Sequence, residues 1–231
     1  MSVRMNKDTG EIFLYGIVGD AWGEDSFTSL DVIDALGKLG GKRALVRINS
    51  PGGIADEGIA IYNAIRRYSG GADTVVDALA ASAASVIALA GDKRTTSSGA
   101  RWMIHRALTI EMGNASQLRK TADTLETYDE SLAEIYARYM KDANGHNMQK
   151  ADILQLMDAE TWFTSESSVA AGLSTDVGEH ADVLPVVAGW FKNAPEALFE
   201  RVANKPCSSG RTQIASIKAK QLSIRAGLLK K

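Results

Sequence analysis

Several residue types are scarce in this chain, and each scarcity argues against a class of protein. The 231 residues contain one cysteine, Cys207, which cannot form an internal disulfide and therefore fits a reducing cytosol. The three histidines do not form an HExxH pattern, which argues against a zinc hydrolase. The formal net charge is only −2, so no overall field draws the protein to nucleic acid or to a membrane surface.

Long hydrophobic runs are also missing. The apolar stretch 78–90 is too short to span a bilayer, and because it consists mostly of alanine it predicts a packed core helix. The first seven residues lack the charged-then-apolar pattern of a secretion signal. We therefore expect a cytoplasmic protein with no membrane or nucleic-acid partner and an ordinary globular composition, 45% hydrophobic and 23% charged.

Strand-like and helix-like patterns alternate along the chain, which predicts an α/β fold built from parallel βαβ units. The predicted strands are 12–18, 44–49, 74–79, two short strands within 94–104, and 173–177, and the predicted helices are 26–39, 54–68, 85–90, 116–141, 151–157 and 165–171. The helix 26–39 is predicted from five apolar residues at three-residue steps: Phe27, Leu30, Ile33, Leu36 and Leu39. The long helix 116–141 has no strand after it, so we expect it to project and to pack on another subunit.

The composition changes near Pro185. Residues 1–184 form the predicted globular domain, and residues 185–231 form a C-terminal extension whose last part, 212–231, carries basic residues and no acidic ones. The extension is interpreted as a tether or a processed tail, with a plain appendage as the alternative.

Ser85 is the predicted nucleophile. It follows a run of small residues and is expected to open a short helix, where the amide of Val86 is still free and negative charge is favoured. The alternative is an ordinary helix-capping serine. Ser82 competes for the same role, but its position predicts that it lies in the preceding turn.

His105 is the predicted general base, because it ends an apolar strand-like run that can hold its ring rigidly. The other two histidines, His146 and His180, lie in loop-like segments. A catalytic imidazole needs a carboxylate to orient it, and Asp158 and Glu160 are the candidates, although spacing alone does not choose between them. A core histidine bonded to a backbone carbonyl is the alternative for His105.

A glycine-containing turn follows the strand 44–49. Asn49-Ser50-Pro51-Gly52-Gly53 can present free backbone amides, since glycine adopts backbone angles that other residues avoid. We expect the amides of Gly53 and Val86 to converge on one oxyanion, and Gly52 and Ile54 to bind substrate as an added strand. No Gly-Lys-Ser/Thr follows, so this is not a nucleotide-binding loop.

Three motifs in this order, residues 49–53, Ala83-Ala84-Ser85 and Met103-Ile104-His105, resemble the Clp peptidase (ClpP) family of serine proteases. The similarity extends over about residues 10–180 and is greatest to the ClpP-related head maturation proteases of tailed phages. It implies a ClpP/crotonase-like superhelix of ββα units with a projecting handle helix. It also implies Ser85 as nucleophile, His105 as base, and Gly53 and Val86 as the oxyanion hole.

For the acidic member of the site the resemblance favours Asp158 and leaves Glu160 open. The helix 116–141 resembles the handle that interlocks two heptameric rings in that family, so the resemblance implies a homo-oligomeric ring or double ring. It implies no cofactor and no metal ion.

The first functional hypothesis is an ATP-independent serine endopeptidase that cleaves scaffold or capsid protein during phage head maturation, in the host cytoplasm or the prohead. A short nucleophile-to-base loop and the basic extension favour this interpretation. The alternative is a ClpP-type proteolytic ring subunit that works with an unfoldase ATPase. From other classes, a crotonase-fold acyl-CoA-binding protein and an inactive assembly scaffold remain, and so does a Ser–Lys dyad using Lys93 or Lys120. The absence of a G-x-S-x-G motif argues against an α/β-hydrolase.

Overall fold

A computed structural model of the chain describes residues 3–20, 25–181 and 193. Its strands are Val3–Asn6 (β1), Glu11–Tyr15 (β2), Ile17–Val18 (β3), Ser26–Phe27 (β4), Ala44–Ser50 (β5), Ala72–Ala81 (β6), Arg94–Ser97 (β7), Arg101–Ile104 (β8), Thr161–Thr164 (β9) and Asp176–Gly178 (β10). Its helices are Ser29–Lys38 (α1), Ala55–Arg67 (α2), Ala83–Ala88 (α3), Ala115–Ala137 (α4), Lys150–Asp158 (α5) and Ser165–Ala170 (α6). The predicted boundary between residues 184 and 185 and almost all of the C-terminal extension lie outside the described residues.

One mixed sheet organises these elements. Strands β2, β5, β6, β7 and β10 run parallel in that order, and β1 adds antiparallel to β2. The α/β architecture with parallel strands is therefore confirmed. Strands β1 and β9 were not expected, because such four-residue edge segments are defined by their partners and carry little periodicity of their own.

Strand β6 changes its partner halfway along its length. Its first half, Thr74–Val76, pairs with β7, whereas its second half, Leu79–Ala81, pairs in parallel with β8. Strand β9 then adds antiparallel to β8. The carboxyl ends of β6 and β8 consequently lie side by side at one edge of the sheet, the place where functional groups collect in parallel α/β proteins.

Helix α1 turns a different face to the core than the sequence pattern predicted. Val32, Ala35 and Leu36 are buried, whereas Leu30 is 75% and Ile33 is 47% exposed. Steps of three residues advance 300° around a helix, so five such residues spread over most of its circumference and cannot share one face. The helix begins after Thr28, whose side chain and that of Asp31 form a capping box.

Helix α4 begins after a second capping box, between Asn114 and Gln117, and ends at Ala137, four residues earlier than predicted. The buried residues of α4 all belong to its second half, from Asp129 onward, while most of residues 115–128 are exposed. The long helix thus has one end packed into the core and one end that projects.

Candidate active site

Ser82 connects strand β6 to helix α3 through a strained turn. Its φ of 54° and ψ of −129° are sparsely populated by residues other than glycine, and such strain is concentrated at functional sites. A sharp strand-to-helix turn of this kind presents a serine hydroxyl at the edge of a sheet. Ser82 is only half-buried, so its hydroxyl is within reach of a ligand.

The imidazole of His105 is within hydrogen-bond distance of the Ser82 hydroxyl. The distance from His105 Nε2 to Ser82 Oγ is 2.7 Å. The two residues follow the ends of adjacent parallel strands, where Ala81 is paired with Met103, and the Ser82 N–H donates to the Met103 carbonyl at 3.0 Å. Backbone pairing therefore fixes the two side chains side by side.

Ser85 does not occupy the position that the sequence predicted for it. It is fully buried, its hydroxyl donates to the Ser82 carbonyl at 2.6 Å, and its Oγ lies 2.6 Å from the Tyr136 hydroxyl. The expected Ser85–His105 pair is wrong because α3 begins at Ala83, two residues earlier than predicted. Ser85 is thus the third residue of the helix rather than the residue that opens it.

One sequence signal does identify Ser82. Alanines occupy the positions two residues before and two residues after it, Ala80 and Ala84. A tight strand-to-helix turn needs small residues at these two places, which glycines fill in the G-x-S-x-G form of the turn. The search for that glycine form alone misses an alanine version.

The glycine turn after β5 lies against this serine. A Cβ added to Gly52, whose φ is +91°, would come within 2.6 Å of the Ala81 carbonyl oxygen and of Ser82 Cβ, and within 2.9 Å of the Ala83 nitrogen. Gly53 bridges to Val18, with Val18 N–H donating to Gly52 O and Ile54 N–H donating to Val18 O, both at 2.9 Å. In a parallel bridge of this form, the N–H of the central residue, Gly53, points away from its partner strand.

Two predicted backbone donors do not occupy the positions that their proposed roles require. Val86 is the fourth residue of α3, one turn into the helix, and its amide is therefore not next to Ser82 in the chain. Ile54 N–H donates to Val18, and α2 begins at Ala55, leaving little extended chain after Gly53 for a substrate strand. The predicted roles of Val86 as oxyanion donor and of Ile54 as strand-pairing partner are therefore corrected. Ala83, the first residue of α3, has the amide that lies beside the glycine turn.

The two candidate carboxylates have different surroundings. Asp158 is 70% exposed, and its Oδ1 accepts from Arg106 Nε at 3.0 Å. Glu160 directly precedes β9. The last pair of the β8–β9 register joins Ile104 to Thr161, and one further step along both chains leads to His105 and Glu160. Glu160 also has a φ of 49°. Its Oε1 accepts from Trp162 Nε1 at 3.3 Å. By strand register, Glu160 is the nearer of the two candidates to His105.

The chain beyond His105 is anchored by the buried end of α4. Arg106 N–H donates to the Met157 carbonyl at 3.2 Å, and Arg106 Nη1 lies 3.2 Å from Asp129 Oδ2. Asp129 Oδ1 accepts from the Ala107 N–H at 2.7 Å. Asp129 is almost completely buried, so these contacts tie the strand that carries the imidazole to helix α4.

The remaining candidates lie elsewhere. Lys93 pairs with Asp176 at 3.4 Å, and Lys120 belongs to the exposed half of α4, so neither supports a Ser–Lys dyad. His146 is exposed near Asp142, and His180 Nδ1 lies 3.2 Å from the Ser98 carbonyl. Within the described residues, no helix is long and apolar enough to cross a membrane.

Comparison with known proteins shows which family the chain resembles. The family profile described as Clp protease matches residues 3–181. Among curated proteins, the chain is 34% identical over 137 residues to the ATP-dependent Clp protease proteolytic subunit 1 of Protochlamydia amoebophila, an alignment that covers 58% of this chain and 64% of that relative. It is 28% identical over 180 residues to the ATP-dependent Clp protease proteolytic subunit 2 of Treponema denticola, covering 77% of this chain and 86% of that protein.

Among solved structures, a ClpP1 mutant from Listeria monocytogenes superposes with a TM-score of 0.62 at 21% identity, over 76% of this chain and 95% of that one. This superposition confirms the predicted ClpP/crotonase-like α/β fold.

Proposed function

Because the chain belongs to the Clp protease family, we propose that it is a serine endopeptidase in which Ser82 is the nucleophile and His105 is the general base. The observation that carries the proposal is the 2.7 Å contact between Ser82 Oγ and His105 Nε2 on a strained turn. A serine hydroxyl is a weak nucleophile until an adjacent base takes its proton, and this contact supplies the base.

The proposed reaction follows from the positions of these groups. Ser82 Oγ attacks the peptide carbonyl and transfers its proton to His105 Nε2, which then gives the proton to the leaving amine. The amides of Gly53 and Ala83 lie around the same turn and are proposed to donate to the oxyanion of the tetrahedral intermediate. Water then attacks the acyl-enzyme while His105 takes its proton, and His105 returns that proton to Ser82 Oγ as the bond between Oγ and the acyl carbon breaks.

Glu160 is proposed as the carboxylate that orients His105. Its register position opposite the imidazole supports this role, whereas the carboxylate of Asp158 accepts a hydrogen bond from Arg106. A carboxylate in this position holds the imidazole in the productive tautomer and stabilises the imidazolium that forms during the reaction.

The segment between β8 and α4, residues 105–114, is proposed to pair with a peptide or protein substrate. It leads directly away from His105, and residues 108–114 are exposed without regular secondary structure. An extended peptide can add to such an edge through main-chain hydrogen bonds.

For the biological setting, we propose a homo-oligomeric ring subunit. The relatives are proteolytic subunits of ATP-dependent Clp proteases, and this similarity favours a ring that works with an unfoldase ATPase. The cleavage of scaffold or capsid protein during phage head maturation stays a prediction, and processing of a co-expressed capsid protein in the absence of any ATPase would support it.

The proposal is tested by covalent labelling with a fluorophosphonate probe, followed by mass spectrometry to locate the label. We expect the label on Ser82 in the unmodified protein, no labelling of Ser82→Ala, and retention of the label at position 82 in Ser85→Ala. A label on Ser85, or undiminished labelling and peptide hydrolysis by Ser82→Ala, would contradict the assignment.

A further inference from the structure

Ser85 and Tyr136 form a buried hydrogen-bonded pair directly behind Ser82. From this arrangement we infer that the two are positioning residues, which hold the Ser82 turn in the geometry that faces His105. The inference rests on the proposed function, since it assumes Ser82 as the nucleophile.

The direction of the hydrogen bonds follows from counting protons. A serine hydroxyl has one proton, and that of Ser85 is donated to the Ser82 carbonyl at 2.6 Å. The 2.6 Å contact with Tyr136 must then be donated by the tyrosine. The result is a continuous chain from the Tyr136 hydroxyl to Ser85 Oγ and on to the Ser82 carbonyl.

This chain acts on the strained residue itself. The Ser82 carbonyl accepts from the Ser85 N–H at 2.9 Å as well as from the Ser85 hydroxyl. Two donors on one carbonyl oxygen restrain the ψ angle of Ser82. This torsion sets the direction in which helix α3 leaves Ser82, the residue that carries the hydroxyl. Loss of these restraints would let the turn relax from its φ of 54° and change the position of Oγ relative to the imidazole.

Tyr136 is suited to this task because it is immobile and keeps its proton. It lies on the packed end of α4 and is 1% exposed. Burial raises the pKa of the Tyr136 phenol well above its ordinary value, so the hydroxyl keeps its proton well beyond neutral pH. In the low-dielectric interior a fully satisfied chain of this kind is rigid.

The competing explanation is that the pair only satisfies two buried polar groups. A double variant separates the two explanations. Ser85→Ala alone leaves the Tyr136 hydroxyl buried without its acceptor and should lower the melting temperature. Ser85→Ala combined with Tyr136→Phe removes both polar groups, so its melting temperature should return toward that of the unmodified protein.

The rate of fluorophosphonate labelling at Ser82 should stay low in the double variant even though its melting temperature returns toward that of the unmodified protein. For the double variant we expect a labelling rate about tenfold lower than that of the unmodified protein, since small displacements of a reacting group are costly. Tyr139→Phe is the matched control: it removes a phenol that is hydrogen-bonded to Tyr62 at 2.8 Å rather than to Ser85, and it should change the rate by less than about twofold. The oligomeric state of each variant is checked by sedimentation velocity.

Labelling of the double variant at the unmodified rate, or rates that simply follow melting temperature across the set, would overturn the positioning role. Failure of the proposed function has a different signature, because the unmodified protein itself would then carry no label on Ser82.

Discussion

At the scale of residues, chemically identical side chains receive different roles from their surroundings. Ser82 and Ser85 are three residues apart, yet one is accessible on a strained turn against an imidazole and the other is buried within a helix. The acidic candidates differ in the same way, since Asp158 is exposed beside Arg106 while Glu160 directly precedes β9, the strand paired with β8.

The first prediction concerns these two carboxylates. Glu160→Gln should reduce the labelling rate of Ser82 by at least about tenfold, because a neutral amide no longer stabilises the imidazolium or fixes its tautomer. The matched variant Asp158→Asn removes the charge that Arg106 contacts and should retain most of the rate. Both rates are measured with the fluorophosphonate probe at one pH, and the reverse ranking would make Asp158 the orienting carboxylate.

At the scale of elements, the site depends on how strand β6 is shared. Its first half belongs with β7 and its second half with β8, so the chain leaving β6 meets the chain leaving β8. Helix α4 supports both sides of this junction: Tyr136 contacts Ser85, and Asp129 holds the segment after His105. These two residues are seven positions apart, which places them on the same face of the helix.

The orientation of α1 gives the second prediction. Leu36→Ala removes a buried side chain and should lower the free energy of unfolding by about 2–4 kcal/mol. Leu30→Ala has the same chemistry at an exposed position of the same helix and should change it by no more than about 0.5 kcal/mol. Urea denaturation followed by circular dichroism measures both changes, and equal effects would show that α1 does not present the face described.

At the scale of the whole molecule, the segment between β8 and α4 exposes several large apolar side chains. Leu108, Ile110 and Met112 alternate along it and are 60%, 82% and 72% exposed. Contiguous exposed apolar residues mark contact surfaces, and these adjoin the projecting half of α4. The sequence predicts that the long helix contacts another copy of the chain, and this apolar segment directly precedes that helix.

The third prediction is therefore about assembly. Replacing Leu108, Ile110 and Met112 together by serine should shift the protein toward smaller species in sedimentation velocity, because the apolar area available for contact is lost. Val177→Ser, at a single exposed apolar position on strand β10, is the control and should leave the distribution unchanged. An unaltered distribution in the triple variant would mean that this segment does not hold copies together.

Parts of the fold and the site could be predicted from the sequence because they depend on neighbouring residues. The alternation of strands and helices, the existence of the long helix and the glycine turn after β5 follow from local periodicity and from backbone angles that glycine permits. The recognition of His105 as the imidazole at the end of a strand rested on the same kind of information.

The remainder was decided by contacts between distant segments. The amino-acid sequence by itself determined an α/β chain that ends one strand near a serine and another at a histidine. The tertiary structure decided which serine: pairing of β6 with β8 and the start of α3 at Ala83 bring Ser82 to His105 and turn Ser85 toward Tyr136. The physical reason is that a helix start and a strand register are set by packing and hydrogen bonding across the fold. When a helix starts two residues earlier, each of its residues takes a position about 200° further around the helix axis.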